Sequence, residues 1–184
     1  MKRIILLFIP FFFSSCIVVI GNSEQKAREK QTQTLSFYHK KIQVNSFLNQ
    51  WHKDVANSDF DAYFGKMSET AVFIGTDASE NWTVQQFKDF AKPHFYNKKT
   101  WDFKALERNV YFNSKGDIAW FDELLDTWMG ICRGSGVLLC KNGNWEIEQY
   151  VLSIVIPNEF TNQVIEIKKE KDTQIIQQIK PDQQ

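Results

Sequence analysis

Side chains able to move a proton or hold a ligand are sparse in this sequence. Asp77 follows the β-rich run 71–76 and precedes Ala78-Ser79-Glu80, so one or two carboxylates are expected where that run ends. A carboxylate partly desolvated by Trp82 and Trp51 would have a raised pKa and act as a general base. The same residues also suit a surface turn in which Asp77 and Ser79 make side-chain caps. Asp122 and Glu123 stand in an otherwise apolar strand, where alternation lets only one point inward. If Ser114-Lys115-Gly116 closes a hairpin with Asn113 opposite Asp117, Arg108 falls opposite Asp122 and pairs with it across the strands. Glu123 is then the acid without a partner. Asp77 and Glu123 are therefore the candidate catalytic residues. Arg133 opens a strand of small and apolar residues, where it either holds an anionic ligand or answers Glu123 or Asp126.

Other chemistries find little support. His39, His52 and His94 each lack a Cys or an acid partner nearby in sequence, and a lone histidine is more often structural or solvated than reactive. Cys132 and Cys140 lie in one strand, roughly 26 Å apart at about 3.3 Å per residue, and cannot pair with each other. With no Cys-x-x-Cys they read as small core residues, and neither a metal nor a cofactor is indicated. Ser153 has no Gly-x-Ser-x-Gly context for nucleophilic attack. Lys+Arg and Asp+Glu both number 22, so no basic excess exists to follow a nucleic acid backbone. Among six tryptophans, Trp51, Trp82 and Trp120 are placed at a cavity, where they could stack on a flat apolar ligand.

Apolar residues at helical spacing (Phe37, Val44, Phe47, Leu48, Trp51, Val55) predict a first helix, which Asn57-Ser58-Asp59 stops while capping a second through Phe60, Tyr63, Phe64 and Met67. Thr83 caps a third helix that Pro93 ends. From there the pattern turns to strands over 101–112, 117–129, 132–140 and 145–156, expected as an antiparallel meander. Asn142-Gly143 is a strong hairpin signal, pairing Lys141 with Asn144 and Cys140 with Trp145. Carried outward, that register puts Trp145, Ile147, Gln149, Val151 and Ser153 on one face. Glu146 and Glu148 on the other are assigned to water. Gln149 and Ser153 are thus expected to face the cavity. The fold class is α+β, three N-terminal helices covering a curved antiparallel sheet, and 184 residues suit one such domain.

The first 34 residues read as something other than domain. Lys2-Arg3, the apolar run 4–13 and Ser14-Ser15-Cys16 resemble the signal segment of bacterial lipoproteins, with Phe13 where Leu is usual. The resemblance implies a diacylated Cys16, membrane attachment and a domain in the cell envelope outside the cytoplasm. A simple cleaved signal or an uncleaved anchor are the alternatives, since the apolar run continues through 17–20. The expected organisation is a signal segment 1–16, a polar solvated spacer 17–34, the domain 35–160, and a polar tail 161–184. The tail would hold a short helix around 159–170 and a disordered end from 172.

The order of Asn57-Ser58-Asp59-Phe60-Asp61, the strand 71–77, a helix, Ala119-Trp120-Phe121-Asp122-Glu123, 133–138 and Trp145-Glu146-Ile147 resembles SnoaL-like proteins of the nuclear transport factor 2 (NTF2-like) superfamily over about residues 40–160. The resemblance implies a cone-shaped fold with a pocket between helices and sheet, in a group that includes polyketide cyclases, ketosteroid isomerases, dehydratases and non-catalytic binding or assembly domains. Aligned on Asn57-Ser58-Asp59, Trp51 stands where the isomerases carry an oxyanion-binding Tyr, and Gly75 at or near their catalytic Asp. That pair is missing. The histidines that similar sequences carry at positions 149 and 151 are missing too. Three functions remain. The first is a domain binding a small apolar or amphipathic molecule through Trp51, Trp82, Trp120, Arg133, Gln149 and Ser153. The second is a cofactor-free cyclase or dehydratase using Asp77 or Glu123. The third is a dimeric scaffold joined through a convex sheet face that includes Tyr150 and Leu152.

Overall fold

The computed structural model describes residues 16–180. Residues 1–15, on which the expected signal segment 1–16 falls except for Cys16, and residues 181–184 lie outside it. The chain divides into two units, 1–43 and 44–184. Helix α1 (Cys16–Ala56) supplies residues to both, so the stretch 17–34 read as a spacer is helical from its first residue, and its side chains from Ser23 to Ser36 are solvent-exposed. Among the described residues no helix is long and apolar enough to cross a membrane.

The second unit begins where burial begins. Val44, Leu48, Trp51 and Val55 repeat at helical spacing and are buried, giving the end of α1 one apolar face. Ser58 takes a left-handed φ of 57° and Asp59 caps α2 (Phe60–Phe64), its carboxylate accepting from the Ala62 N–H at 3.0 Å. Helix α2 is a single turn, and Met67, expected within it, instead opens strand β1 (Met67–Ile74). β2 (Asn81–Thr83) leads into α3 (Val84–Tyr96). A reciprocal capping box between Thr83 and Gln86 starts α3, as the sequence indicates. Pro93 does not end α3. A proline removes only its own N–H from the ladder, and the next turn closes on the Pro93 carbonyl, which accepts from Asn97 N–H at 3.1 Å.

Four long strands follow: β3 (Lys104–Phe112), β4 (Ile118–Thr127), β5 (Gly130–Lys141) and β6 (Asn144–Ile154). They form the expected antiparallel meander within a six-stranded sheet of order β2-β1-β6-β5-β4-β3, whose β1–β6 pair is parallel. The last described element is α4 (Thr161–Ile179), which corrects the expected disorder over residues 172–179. The α+β class holds. Its helices are one long, one short and α3 before the meander, with α4 after it, rather than three N-terminal helices alone.

Two register details change which side chains face the core. Phe112 pairs with Ala119, so Arg108 lies opposite Glu123 and not Asp122. The expected register was one residue off, and one residue exchanges the faces of a strand. In β6 the pairing follows the hairpin rule from Lys141–Asn144 to Leu138–Ile147, then skips Glu148 so that Val137 meets Gln149. This bulge turns Tyr150 and Leu152 into the core, and sends Gln149, Val151 and Ser153 to the other face.

Candidate functional site

At the centre of the inner sheet face sits Glu123, 1% exposed. Its Oε1 accepts from His52 Nε2 of α1 at 2.8 Å and from the Tyr150 hydroxyl of β6 at 3.0 Å. A carboxylate only accepts, so the imidazole proton is on Nε2. Its Oε2 accepts from Arg108 Nε at 2.8 Å. Arg108 Nη2 lies 2.7 Å from the same oxygen without the alignment of a hydrogen bond, so that contact is Coulombic. Arg108 Nη1 also donates to Asn49 Oδ1 at 2.8 Å and to the Asn45 carbonyl at 3.2 Å, tying β3 to α1. Gly134, opposite Glu123 on β5, makes room for the cluster: a Cβ there would fall 2.2 Å from the Tyr150 hydroxyl oxygen.

These contacts set the protonation states. Burial pushes the Glu123 carboxyl up, but the hydrogen bond and charge of His52 with the charge and hydrogen bond of Arg108 outweigh it, and the group rests below the ordinary glutamate value. Burial, reinforced by the Glu123 charge, holds the Tyr150 hydroxyl well above its usual range. Glu123 is thus a fixed anion with three donors on it, the opposite of a carboxyl tuned upward for proton abstraction. His52, which the sequence leaves without an acid, finds one 71 positions away.

Above this cluster the cone is packed. Trp51 stacks on Tyr63 at 4.9 Å and meets Tyr150 edge-on at 4.8 Å. Between Trp51, His52, Tyr63, Phe73, Trp101, Phe103 and Tyr150 only about 10 Å³ stays open. The larger spaces lie on either side. A polar groove of about 250 Å³ runs between α1 and the start of β3, bordered by Asn49, His52, Lys53, Asp102 and Lys104. At the other end, a cavity of about 160 Å³ is bounded by Phe73, Trp82, Phe87, Phe90, Trp101, Phe103, Trp128, Met129 and Leu152, with Gly75, Thr76 and Glu80 at one side. Its rings lie nearly parallel: Phe73 on Phe87 at 3.8 Å and 15°, Trp82 on Phe90 at 4.6 Å and 28°.

The residues singled out from sequence are dispersed by the fold. Trp82 lines the aromatic cavity. Trp51 is a core residue. Trp120 faces outward and stacks on Tyr111. Arg133 is half exposed, 3.8 Å from Asp122, on the outer face with Gln149 and Ser153. Asp77 is exposed and its Oδ1 accepts from Ser79 N–H at 2.9 Å and Ser79 Oγ at 2.6 Å, which hold its carboxyl below the ordinary aspartate value. Glu80, three residues on, is the acid at the cavity. Cys132 and Cys140 are free, and no cluster of potential metal ligands occurs among the described residues. The outer face of the sheet carries Tyr111, Ile118 and Trp120, all exposed. Phe103 and Trp101, which bound the cavity, escaped the sequence reading because they precede the strand they were assigned to.

Helices laid against a curved, mostly antiparallel sheet, with a cavity at one end, define an α+β domain of the NTF2-like class. The chain belongs to the SnoaL-like domain family, whose model matches residues 44–157. Solved structures with the same fold include an NTF2-like protein of unknown function from Pseudomonas putida (12% identity, TM-score 0.54, 64% of this chain and 88% of that one). A second is a domain of unknown function with a cystatin-like fold from Nostoc punctiforme (15% identity, TM-score 0.56, 78% and 96%). A third is an NTF2-like protein from Streptomyces avermitilis provisionally assigned as a dehydratase (11% identity, TM-score 0.54, 63% and 96%). No curated protein matches the sequence.

Proposed function

We propose that this SnoaL-like domain binds a small apolar or amphipathic molecule in the cavity between α3, the start of β3 and the β4–β5 turn. The observation that carries the reading is the composition of that cavity, seven aromatic residues with Met129 and Leu152 against two polar side chains. The acids suggested for catalysis are otherwise engaged: Asp77 caps an exposed turn, and Glu123 is enclosed by His52, Arg108 and Tyr150. The domain is proposed to work outside the cytoplasm, tethered through a lipidated Cys16, on the strength of Lys2-Arg3, the apolar run and Ser14-Ser15-Cys16.

Trp82→Ala tests the cavity. A ligand found by thermal-shift screening should bind this variant at least tenfold more weakly, whereas unchanged affinity removes the assignment. Incorporation of labelled fatty acid, lost in Cys16→Ser, tests the tether; wild-type protein that keeps Met1 and takes up no label overturns it. A second reading, self-association through the outer sheet face, is favoured by the exposed Tyr111–Trp120 stack beside Ile118. Light scattering of wild type and Trp120→Glu decides it, since a monomeric wild type excludes the dimer.

A further inference from the structure

The geometry points to an organic cation, an amine or quaternary ammonium group on an apolar body, as the ligand class of the aromatic cavity; this rests on the cavity being the binding site. Glu80 is the only ionisable side chain among the described residues that bound it. Its position is set by the fold. The side chain lies over Gly75, where a Cβ would come within 2.1 Å of Glu80 Oε2 and 3.0 Å of Glu80 Cβ, so the absence of a side chain at 75 is what admits the carboxylate. Glu80 Oε2 accepts from the Asp77 N–H at 3.1 Å, and the Glu80 carbonyl accepts from Gly75 N–H at 2.9 Å, closing the turn that holds it. One backbone donor leaves most of the acceptor capacity of a carboxylate unused.

The remaining wall explains why a cation fits better than a neutral or anionic group. A ligand that seals the cavity strips water from Glu80, and a purely apolar one returns nothing for that loss. An anion adds repulsion at short range in a poorly solvated space. A cation restores the lost interaction and also meets π systems: Trp82 and Phe90 at one wall, Trp101 at another, and Trp128 at the rim, 82% exposed with its ring largely uncovered. Aromatic walls attract a cation through their ring quadrupoles, and aliphatic walls of the same size would not.

Phenyltrimethylammonium and its uncharged isostere tert-butylbenzene separate the charge from the shape. Titrated into the whole domain and followed by tryptophan fluorescence, the cation should bind at least tenfold more tightly than the isostere. In Glu80→Gln that preference should fall below threefold while the isostere binds as before. The amide oxygen of Gln can still accept from Asp77 N–H, so the variant is expected to unfold at the wild-type temperature, which a melting curve verifies. Equal binding of both probes to wild type, or a preference that survives Glu80→Gln, overturns the cation inference and leaves the cavity standing. Binding of neither probe, with no response to Trp82→Ala, overturns the cavity itself.

Discussion

Replacing Glu123 by Gln removes one negative charge from a place where Arg108 has no other ion-pair partner among the described residues. The Arg108 side chain is 5% exposed and that of Glu123 fully buried, so water can replace the carboxylate for neither Arg108 nor His52. Three donors then converge on a neutral amide that also presents two donors of its own. Removing one partner of a buried ion pair costs about 3–5 kcal/mol, most of it the stranded charge. At about 2–4 °C per kcal/mol for a chain of this size, the thermal midpoint should fall by about 6–20 °C. Urea denaturation followed by tryptophan fluorescence measures the free-energy loss. Arg108→Met alone should cost a similar amount, since it strands Glu123, and the double variant should cost less than the sum by about 2 kcal/mol. A loss below about 1 kcal/mol in Glu123→Gln, or strict additivity, would mean that the cluster is solvated and that the enclosed-anion argument is wrong.

Other outcomes follow from single contacts. With its folded pKa below the ordinary 4.5, Glu123 contributes stability that is complete above about pH 4.5 and is lost as pH falls through the lower folded value. Unfolding free energy measured from pH 6 to 3 should decline in wild type and decline less in Glu123→Gln; parallel curves would contradict it. Thr83→Ala deletes the acceptor that caps Gln86 N–H and should cost about 1 kcal/mol by urea denaturation, with no effect meaning that α3 is held by packing alone. Gly134→Ala drives a methyl into the Tyr150 hydroxyl and should cost about 1–3 kcal/mol, and a Gly134→Ala/Tyr150→Phe pair should lose less than the sum. Additive losses would show that the methyl is accommodated elsewhere.

Local signals were legible and long-range ones were not. Asn142-Gly143 forms the hairpin its type demands, with φ of 53° and 83°, and Thr83 with Gln86 caps α3, because each depends only on neighbours in sequence. The face assignment failed two residues beyond Ile147, the last residue paired as expected. Glu146 and Glu148 do go to the outer face, where both accept from Lys141, but the bulge at Glu148 ends the alternation on which Gln149 and Ser153 depended. The β3–β4 register slipped because Asn113 Oδ1 accepts from both Asp117 N–H and Ile118 N–H at 3.1 Å, holding a loop one residue different from the simplest closure. That slip misassigned Arg108 and left Glu123 looking unpaired. A trace of the buried cluster does exist in sequence: Asn45, Asn49 and His52 recur at helical spacing beside the apolar face of α1, a polar stripe where solvent alone would not require one. Its acid lies on another element, which no spacing rule reaches.

Phe103 ties these spaces together, since it alone among the described residues borders the aromatic cavity, the small interior void and the polar groove. Trp101, Phe73 and His52 each border two of the three, so the phenyl ring is the partition that keeps a ligand in the aromatic end away from the imidazole. Phe103→Ala should cost about 3–5 kcal/mol, the usual loss for a core phenylalanine, which a domain of ordinary stability survives. In return the cavity would extend to His52 Nε2 and the Tyr150 hydroxyl, both already committed to Glu123. The variant should therefore accept longer apolar chains without gaining affinity for polar ones. A homologous series of alkyltrimethylammonium ions measures this: the chain length of tightest binding should increase in Phe103→Ala while the preference for a charged head stays with Glu80. An optimum that does not move would show that the ring is not the partition, and that Trp101 and Phe73 close the interior without it.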